Sequence, residues 1–333
     1  MSLTYLNSLQ QSLHAIMDQD ARVQILGEDI VDPYGGAFKV THGLSTKHPT
    51  RVLSTPISEG AITGVAVGMA LRGLLPVVEI MFGDFLTLCM DQLVNHAAKF
   101  RGMFNNAVNV PMVLRTPMGG GRGYGPTHSQ SLEKLILGTP GLAVVAPSHF
   151  HDPGSVLAHS VLKEIVPVVF LEHKLLYPQR LYSGANAQMV TEIDGYPTAI
   201  VRNYTSGYPD VSLLIYGGVS RFAEALLTTL AKEEINLDII IPSSLQPVPW
   251  ETITQTVAAS GRVVLAEEST AHFNWGSEIA AGLNERLWRK LKAPPLRITS
   301  DSTIIPTSAS MEQDMLINVQ KIQQTICEAL SWE

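Results

Sequence analysis

Apolar residues recur along this chain in two rhythms. Leu6, Leu9, Leu13 and Ile16 return about every 3.6 residues, so residues 4–18 are predicted to form an amphipathic helix. VQIL (23–26) is a short apolar run stopped by Gly27 and predicts a strand. EGAITGVAVGMALRG (59–73) predicts a helix, PVVEIMF (76–82) a strand, Phe85 to about Met103 a longer helix, and PMVLRT (111–116) another strand. LAVVAP (142–147) and PVVFLE (167–172) predict strands around a helix near 150–163. Continuous apolar strands separated by helices point to a parallel sheet covered on both faces.

Pro178, Gly184, Gly195 and Pro197, with polar residues between them, break this rhythm. We place a linker at 179–197, between a first domain (1–178) and a second (198–333). Alternation then resumes with strands VSLLIYG (211–217), LDIIIP (237–242), RVVLAEE (262–268) and LRITS (296–300). Helices are predicted near 219–232, 250–259, 276–290 and 311–330. The fold class is therefore α/β, with two successive sheets.

Composition narrows the partners. Of 333 residues, 45% are hydrophobic and only 16% charged, against about a quarter charged in ordinary soluble chains. Such a chain buries large cores, and its surface is short of charge wherever partner chains do not cover it. A mean hydropathy of +0.15 points the same way, towards an oligomer. Lys+Arg total 23 against 30 Asp+Glu, a net charge of −7, which argues against nucleic acid as a partner. There is no run of about 18 apolar residues and thus no expected membrane span. MSLTYLNSLQQ lacks the basic patch and apolar core of a secretory signal. Cys89 and Cys327 are too few for a disulfide scaffold or a four-ligand zinc site. They are expected as buried free thiols in a cytoplasmic protein.

Several segments carry candidate chemistry. Glu59 opens the 59–73 helix, with Ser58 as expected N-cap, and Gly60, Gly64 and Gly68 form a smooth ridge for close helix packing. On spacing alone, a carboxylate settled by the helix dipole is the ordinary reading of Glu59. FGDF (82–85) ends a strand, where ligands meet parallel sheets, although Phe82 and Phe85 serve equally as core. MGGGRGYGPTHSQS (118–131) is neither a Walker loop nor a dinucleotide fingerprint. It delivers His128, an acid–base candidate or an ordinary loop histidine. His149, His151 and Asp152 have a spacing open to metal, but Ser148 before them reads as a helix cap. Glu267 and Glu268 read as solvated or capping carboxylates after a strand.

Taken in order, ISEGAITGVAVGMALRG, MFGDF, DQLVNHAAKFR (91–101), GGGRGYGPTHSQSLE (119–133) and PGLAVVAPS (140–148) resemble the β subunits of thiamine-diphosphate-dependent 2-oxoacid dehydrogenases. These are the decarboxylating first components of pyruvate, branched-chain and acetoin dehydrogenase complexes, and the glycine-rich loop looks closest to the acetoin type. EEST…WGSEIAAGL (267–283) is similar to the family's second domain. The resemblance implies a transketolase-like pyrimidine-binding domain followed by a transketolase C-terminal domain. It also implies a heterotetramer of two α and two β subunits, with cofactor bound between α and β.

In that reading Glu59 matches the glutamate that hydrogen-bonds the aminopyrimidine ring of thiamine diphosphate. Phe85 matches the aromatic stacked on that ring, and Ile57 the backbone carbonyl receiving its exocyclic amino group. His128 matches the active-site histidine that handles protons or acyl transfer, and Glu28 an acidic position near the cofactor. The family's diphosphate–magnesium motif, Gly-Asp-Gly followed by Asn-Asn, is missing, since Gly83-Asp84 runs into Phe85. The α subunit is expected to supply magnesium and diphosphate binding, leaving no metal ligands here.

Three departures stand out. Tyr124 replaces a histidine frequent in the family. The potassium site of many members uses carbonyls near Val110 and Met112 and an Asp-x-Asn pair; Glu164 and Val166 replace that pair, which weakens the expectation of potassium. STIIPTSASME (302–312) lacks the aromatic that commonly follows its proline. The leading expectation is oxidative decarboxylation of a 2-oxo acid, or cleavage of acetoin, with the acyl group passing to a lipoyl acyltransferase. The alternatives are a split transketolase-like transferase to a small acceptor and a non-catalytic assembly subunit.

Overall fold

The computed structural model describes residues 3–332. Its first half comprises α1 (Tyr5–Gln19), β1 (Val23–Gly27), α2 (Leu44–Lys47), β2 (Val52–Ser54), α3 (Glu59–Leu71), β3 (Leu75–Glu79), α4 (Leu86–Met90), α5 (Ala98–Met103), β4 (Val113–Met118), β5 (Ala143–Val145), α6 (Pro153–Leu162) and β6 (Val168–His173). The second half comprises β7 (Ala187–Ile193), β8 (Tyr196–Arg202), β9 (Val211–Ile215), α7 (Ala223–Lys232), β10 (Leu237–Pro242), β11 (Ser244–Gln246), α8 (Trp250–Ser260), β12 (Val263–Thr270), α9 (Trp275–Leu287), β13 (Leu296–Ser300), α10 (Ala309–Met315) and α11 (Val319–Ser331).

The first sheet has the order β11-β5-β6-β4-β3-β1-β2 and is parallel except for β11. The second runs β13-β12-β9-β10-β8-β7, parallel up to β10 and antiparallel at β8 and β7. The central strands β3, β4 and β6 are buried along their whole length, as continuous apolar runs require. On α1, Tyr5, Leu9, Leu13, Ile16 and Met17 face inward, and the Thr4 side chain caps the helix by accepting from the Asn7 backbone N–H. Among the described residues no helix is long and apolar enough to cross a membrane.

Several expectations change in detail. The span read as linker, 179–197, is not all loop, because it holds β7 and the start of β8. β7 is an edge strand of mixed polarity (AQMVTEI) with little burial, so it has no apolar run to betray it. The helix expected over Phe85–Met103 is broken into α4, a wide π-type turn over Asp91–Ala97, and α5. The terminal helix is interrupted between α10 and α11. Cys89 is buried as expected, whereas Cys327 is exposed.

The two halves are not independently cored. One apolar cluster runs from Ile62, Val78 and Leu114 of the first half to Leu214, Leu265 and Ile279 of the second. β11, from the second half, completes the edge of the first sheet beside β5.

A charge cluster lies within the first sheet. Arg115 on β4 donates from Nε and Nη2 to the two carboxylate oxygens of Glu172 on β6, each at 2.7 Å, and from Nη1 to Glu79 on β3. Tyr177 Oη donates to Glu172 at 2.6 Å. All are buried. Burial pushes Glu79 up, while the Arg115 charge opposes that rise. Arg115→Met leaves two buried carboxylates without their cation, so it should cost about 3–5 kcal/mol of stability, read as a lowered urea midpoint.

Candidate active site

β1, β2, β3 and β4 are parallel neighbours, so the segments leaving their carboxyl ends emerge along one edge of the sheet, where parallel α/β sheets bind ligands. Glu28 follows β1 directly, and Ile57 and Glu59 follow β2. Phe85 lies in a single 3₁₀ turn, Gly83–Phe85, after β3. His128 sits at the far end of the glycine-rich loop after β4.

Glu59 is the first residue of α3 and is buried. Ser58 occupies the cap position, but its side chain makes no capping bond, so the helix dipole and the protein around it must settle the carboxylate. Thr63 Oγ1 donates to the Glu59 carbonyl at 2.7 Å and closes that first turn. Glu28 is buried beside it. Burial raises the Glu28 pKa and the neighbouring Glu59 charge raises it further, with partial relief from the Ser58 backbone N–H. Its Oε1 is buried with no hydrogen-bond partner. Two carboxyls at one shielded place, one with an oxygen unpaired, form a socket for a hydrogen-bond donor.

Behind α3 the ridge works as expected at two of its three glycines. A Cβ on Gly60 would lie 3.1 Å from the Leu88 carbonyl, and one on Gly64 3.0 Å from Gln92. Gly68 faces open space instead. Ile57 is 82% exposed, and Val65 and Leu88 are 56% exposed, so the surface flanking Glu59 is apolar.

The aromatics converge on the histidine. The His128 ring stands edge-on to Phe82 at 4.8 Å and to Phe85 at 5.4 Å between centroids. Tyr124 stands edge-on to Phe82 at 6.1 Å. Phe82 and Phe85 are half-buried, leaving ring surface open towards the cleft.

Sequence reasoning missed the groups that hold the loop. Lys174, just after β6, is buried, and its Nζ donates to the Gly119 carbonyl at 2.8 Å and to the His128 carbonyl. Burial pushes this lysine down to about 8, against the pull of Asp84, Glu268 and Glu312. Those same carboxylates take loop N–H groups. Asp84 accepts from Gln130 N at 3.2 Å, Glu268 from Gly120 N at 2.7 Å, and Glu312 from Gly123 N at 2.7 Å. Gly119 has φ +91°, and a Cβ there would meet His173 Nε2 at 2.0 Å, so the loop's entry admits only glycine.

Glu267 and Glu268 are buried rather than solvated. Glu268 is held ionised by His173 at 3.1 Å and Arg221 at 3.0 Å, which keep it well below the usual carboxylate range despite its burial. Tyr216 Oη donates to Glu133 at 2.6 Å and faces Glu267 at 3.1 Å, and Glu267 caps α9 by accepting from Gly276 N at 2.9 Å. A charged residue embedded in an apolar strand, as in VVFLEHK and VVLAEES, was the available signal for all of these.

The remaining candidates resolve structurally. His151 accepts from Ser148 N at 2.9 Å and its Nε2 reaches the Ile241 carbonyl at 3.0 Å, while Asp152, not Ser148, caps α6. Glu164 faces His159 at 3.9 Å. Among the described residues no group of three His, Cys, Asp or Glu side chains is arranged to hold a metal ion.

Two carboxyls and two aromatic rings thus gather where parallel strands of an α/β protein end, and comparison with known proteins gives its lineage. Residues 1–180 match the transketolase pyrimidine-binding domain and residues 203–322 the transketolase C-terminal domain. The chain is 34% identical to the β subunit of acetoin:2,6-dichlorophenolindophenol oxidoreductase of Cupriavidus necator, over 92% of this chain and 90% of that one. It is 33% identical to the 2-oxoisovalerate dehydrogenase β subunit of Bacillus subtilis, over 98% of each. A solved split-gene transketolase, an inactive β4 tetramer, shares the fold with TM-score 0.69 at 14% identity, covering 100% of this chain and 99% of that one. The chain belongs to the family of transketolase-like β subunits of the 2-oxoacid and acetoin dehydrogenases.

Burial first, and then the Glu133 charge, raise Glu267 from 4.5 to about 7. Its folded pKa lies above the unfolded one, so the stability it contributes is complete below pH 4.5 and is lost as pH rises through 7. Glu267→Gln keeps the oxygen that caps α9 but cannot ionise. Its stability relative to the native chain should therefore climb between pH 5 and pH 8, by up to about 3 kcal/mol, as followed by denaturant titration at each pH. A difference independent of pH would refute the assignment.

Proposed function

We propose that this chain is the catalytic β subunit of a thiamine-diphosphate-dependent 2-oxo acid or acetoin dehydrogenase, active with an α subunit. One observation carries the reading: Glu28 and Glu59 share a shielded place at the carboxyl edge of the sheet, with Glu28 Oε1 buried and unpaired. An aminopyrimidine ring whose nitrogen shares a proton with a carboxyl presents an N–H to that socket, so the residues present fit the cofactor. When bound, the cofactor supplies an acidic ring carbon that becomes a nucleophile towards a substrate carbonyl.

Every other part of the chemistry assigned to this chain belongs to its own side chains. Glu59 is the carboxyl partner of the ring nitrogen, and Glu28 stands beside it with a second carboxyl. Phe85 offers a flat apolar face, and the Ile57 carbonyl accepts from an amino group. His128, pressed between ring edges, moves a proton at the imidazole as the acyl group leaves for a lipoyl acceptor.

The division of labour follows from what the chain lacks. Without the Gly-Asp-Gly and Asn-Asn motif, the diphosphate and its magnesium fall to the α subunit. The exposed Ile57, Val65 and Leu88 give that subunit an apolar surface to cover, in a heterotetramer of two α and two β chains. The lipoyl group of an acyltransferase is the proposed acceptor.

In the assembled enzyme, Glu59→Gln should lower turnover of a 2-oxo acid or acetoin by about 10²–10⁴-fold and leave the mass of the α–β assembly on gel filtration unchanged. Near-native turnover in that variant would sink the proposal.

A further inference from the structure

We propose that Lys174 is a positioning residue for His128: it ties the two ends of the glycine-rich loop together and so fixes the imidazole against Phe82 and Phe85. The inference rests on the functional reading above for what His128 does, but its geometry stands apart from that reading.

Within the loop the histidine meets only local partners, its N–H donating to the Gly125 carbonyl at 3.3 Å and its Nδ1 lying 3.1 Å from Thr127 Oγ1, and neither ties it to the rest of the fold. Gly119 and Gly125 turn the loop through positive φ at its entry and before Pro126, with φ +91° and +81°. A segment so rich in glycine has much conformational entropy to lose on ordering. Its base is closed by one backbone bond, Gly119 N to the Gln130 carbonyl at 3.1 Å. Three further N–H groups, those of Gln130, Gly120 and Gly123, go to the carboxylates of Asp84, Glu268 and Glu312. Among the described residues, Lys174 is the side chain that takes its carbonyls, and it takes one at each end, Gly119 and His128.

The second of these carbonyls belongs to the histidine itself. Anchoring it fixes the backbone from which the imidazole projects, leaving two side-chain torsions to be set by packing and by the Thr127 hydroxyl at Nδ1. Lys174 contributes to that packing too. Its Nζ lies 5.2 Å from the centroid of Phe82, the ring nearest to the imidazole. The ammonium thus holds the histidine from behind and the aromatic wall from the side. It does not touch the reacting atoms in this arrangement, and its effect passes through His128.

A purely structural lysine and a positioning lysine give different results. In the α–β assembly, Lys174→Met should reduce kcat by about 10²-fold, with KM changed by no more than about twofold. His128→Ala should cause a comparable loss, and the double variant Lys174→Met/His128→Ala should be no slower than the worse single, because both remove the same contribution. Lys174→Arg, which also has donors for two carbonyls, should recover most of the lost kcat and serves if the methionine variant assembles poorly. By hydrogen exchange, residues 119–130 should exchange faster in Lys174→Met while β3 and β4 keep their protection. Unchanged loop exchange, or losses that multiply in the double variant, would overturn the proposal. If the native assembly turned over neither a 2-oxo acid nor acetoin, the functional reading alone would fall, since selective loop exchange would still uphold the clasp.

Discussion

Charge withdrawn from water is the constraint on which this structure depends. A buried charge is tolerable only when paired and hydrogen-bonded, and this chain buries many on and beside its parallel strands. Arg115 is locked between Glu79 and Glu172 inside the first sheet, bonded on three nitrogens. Lys174 lies under the field of Asp84, Glu268 and Glu312. Glu268 in turn faces His173 and Arg221. Once these pairs form, the register of β3, β4 and β6 and the approach of the second sheet are fixed together, since the partners come from different elements.

The same pairs make the seam between the halves a working surface. β12 sends Glu268 and α10 sends Glu312 onto backbone amides of the loop that carries His128. The second half therefore shapes the loop that carries His128. Electrostatic order set up before any ligand arrives needs no rearrangement when it binds.

Much of this was legible in the sequence. Continuous apolar runs revealed the inner strands, because a parallel strand is covered on both faces. Glu59, Phe85 and His128 were visible as candidates because their segments follow strands, but spacing alone favoured ordinary structural readings, and their roles came from family resemblance. β7 and β11 were not legible: one is a mixed-polarity edge strand, and the other is three residues long and defined by a partner distant in sequence. Periodicity also ran α4, the π-type turn and α5 into one helix, since a wider turn leaves the apolar pattern almost unchanged. Lys174 and Glu268 escaped because a charged letter in a strand reads as solvent-facing until its distant counter-charge is known. Family resemblance supplied the roles of Ile57 and Glu28, which no spacing argument could have provided.

β11 has a mechanical consequence. Because a strand from the second half is stitched onto β5 and an apolar cluster spans both halves, they have no free hinge between them. Adjacent domains joined by small polar interfaces commonly swing and gate their clefts; swinging these two halves apart would strip β11 from β5 and expose the apolar cluster they share to water.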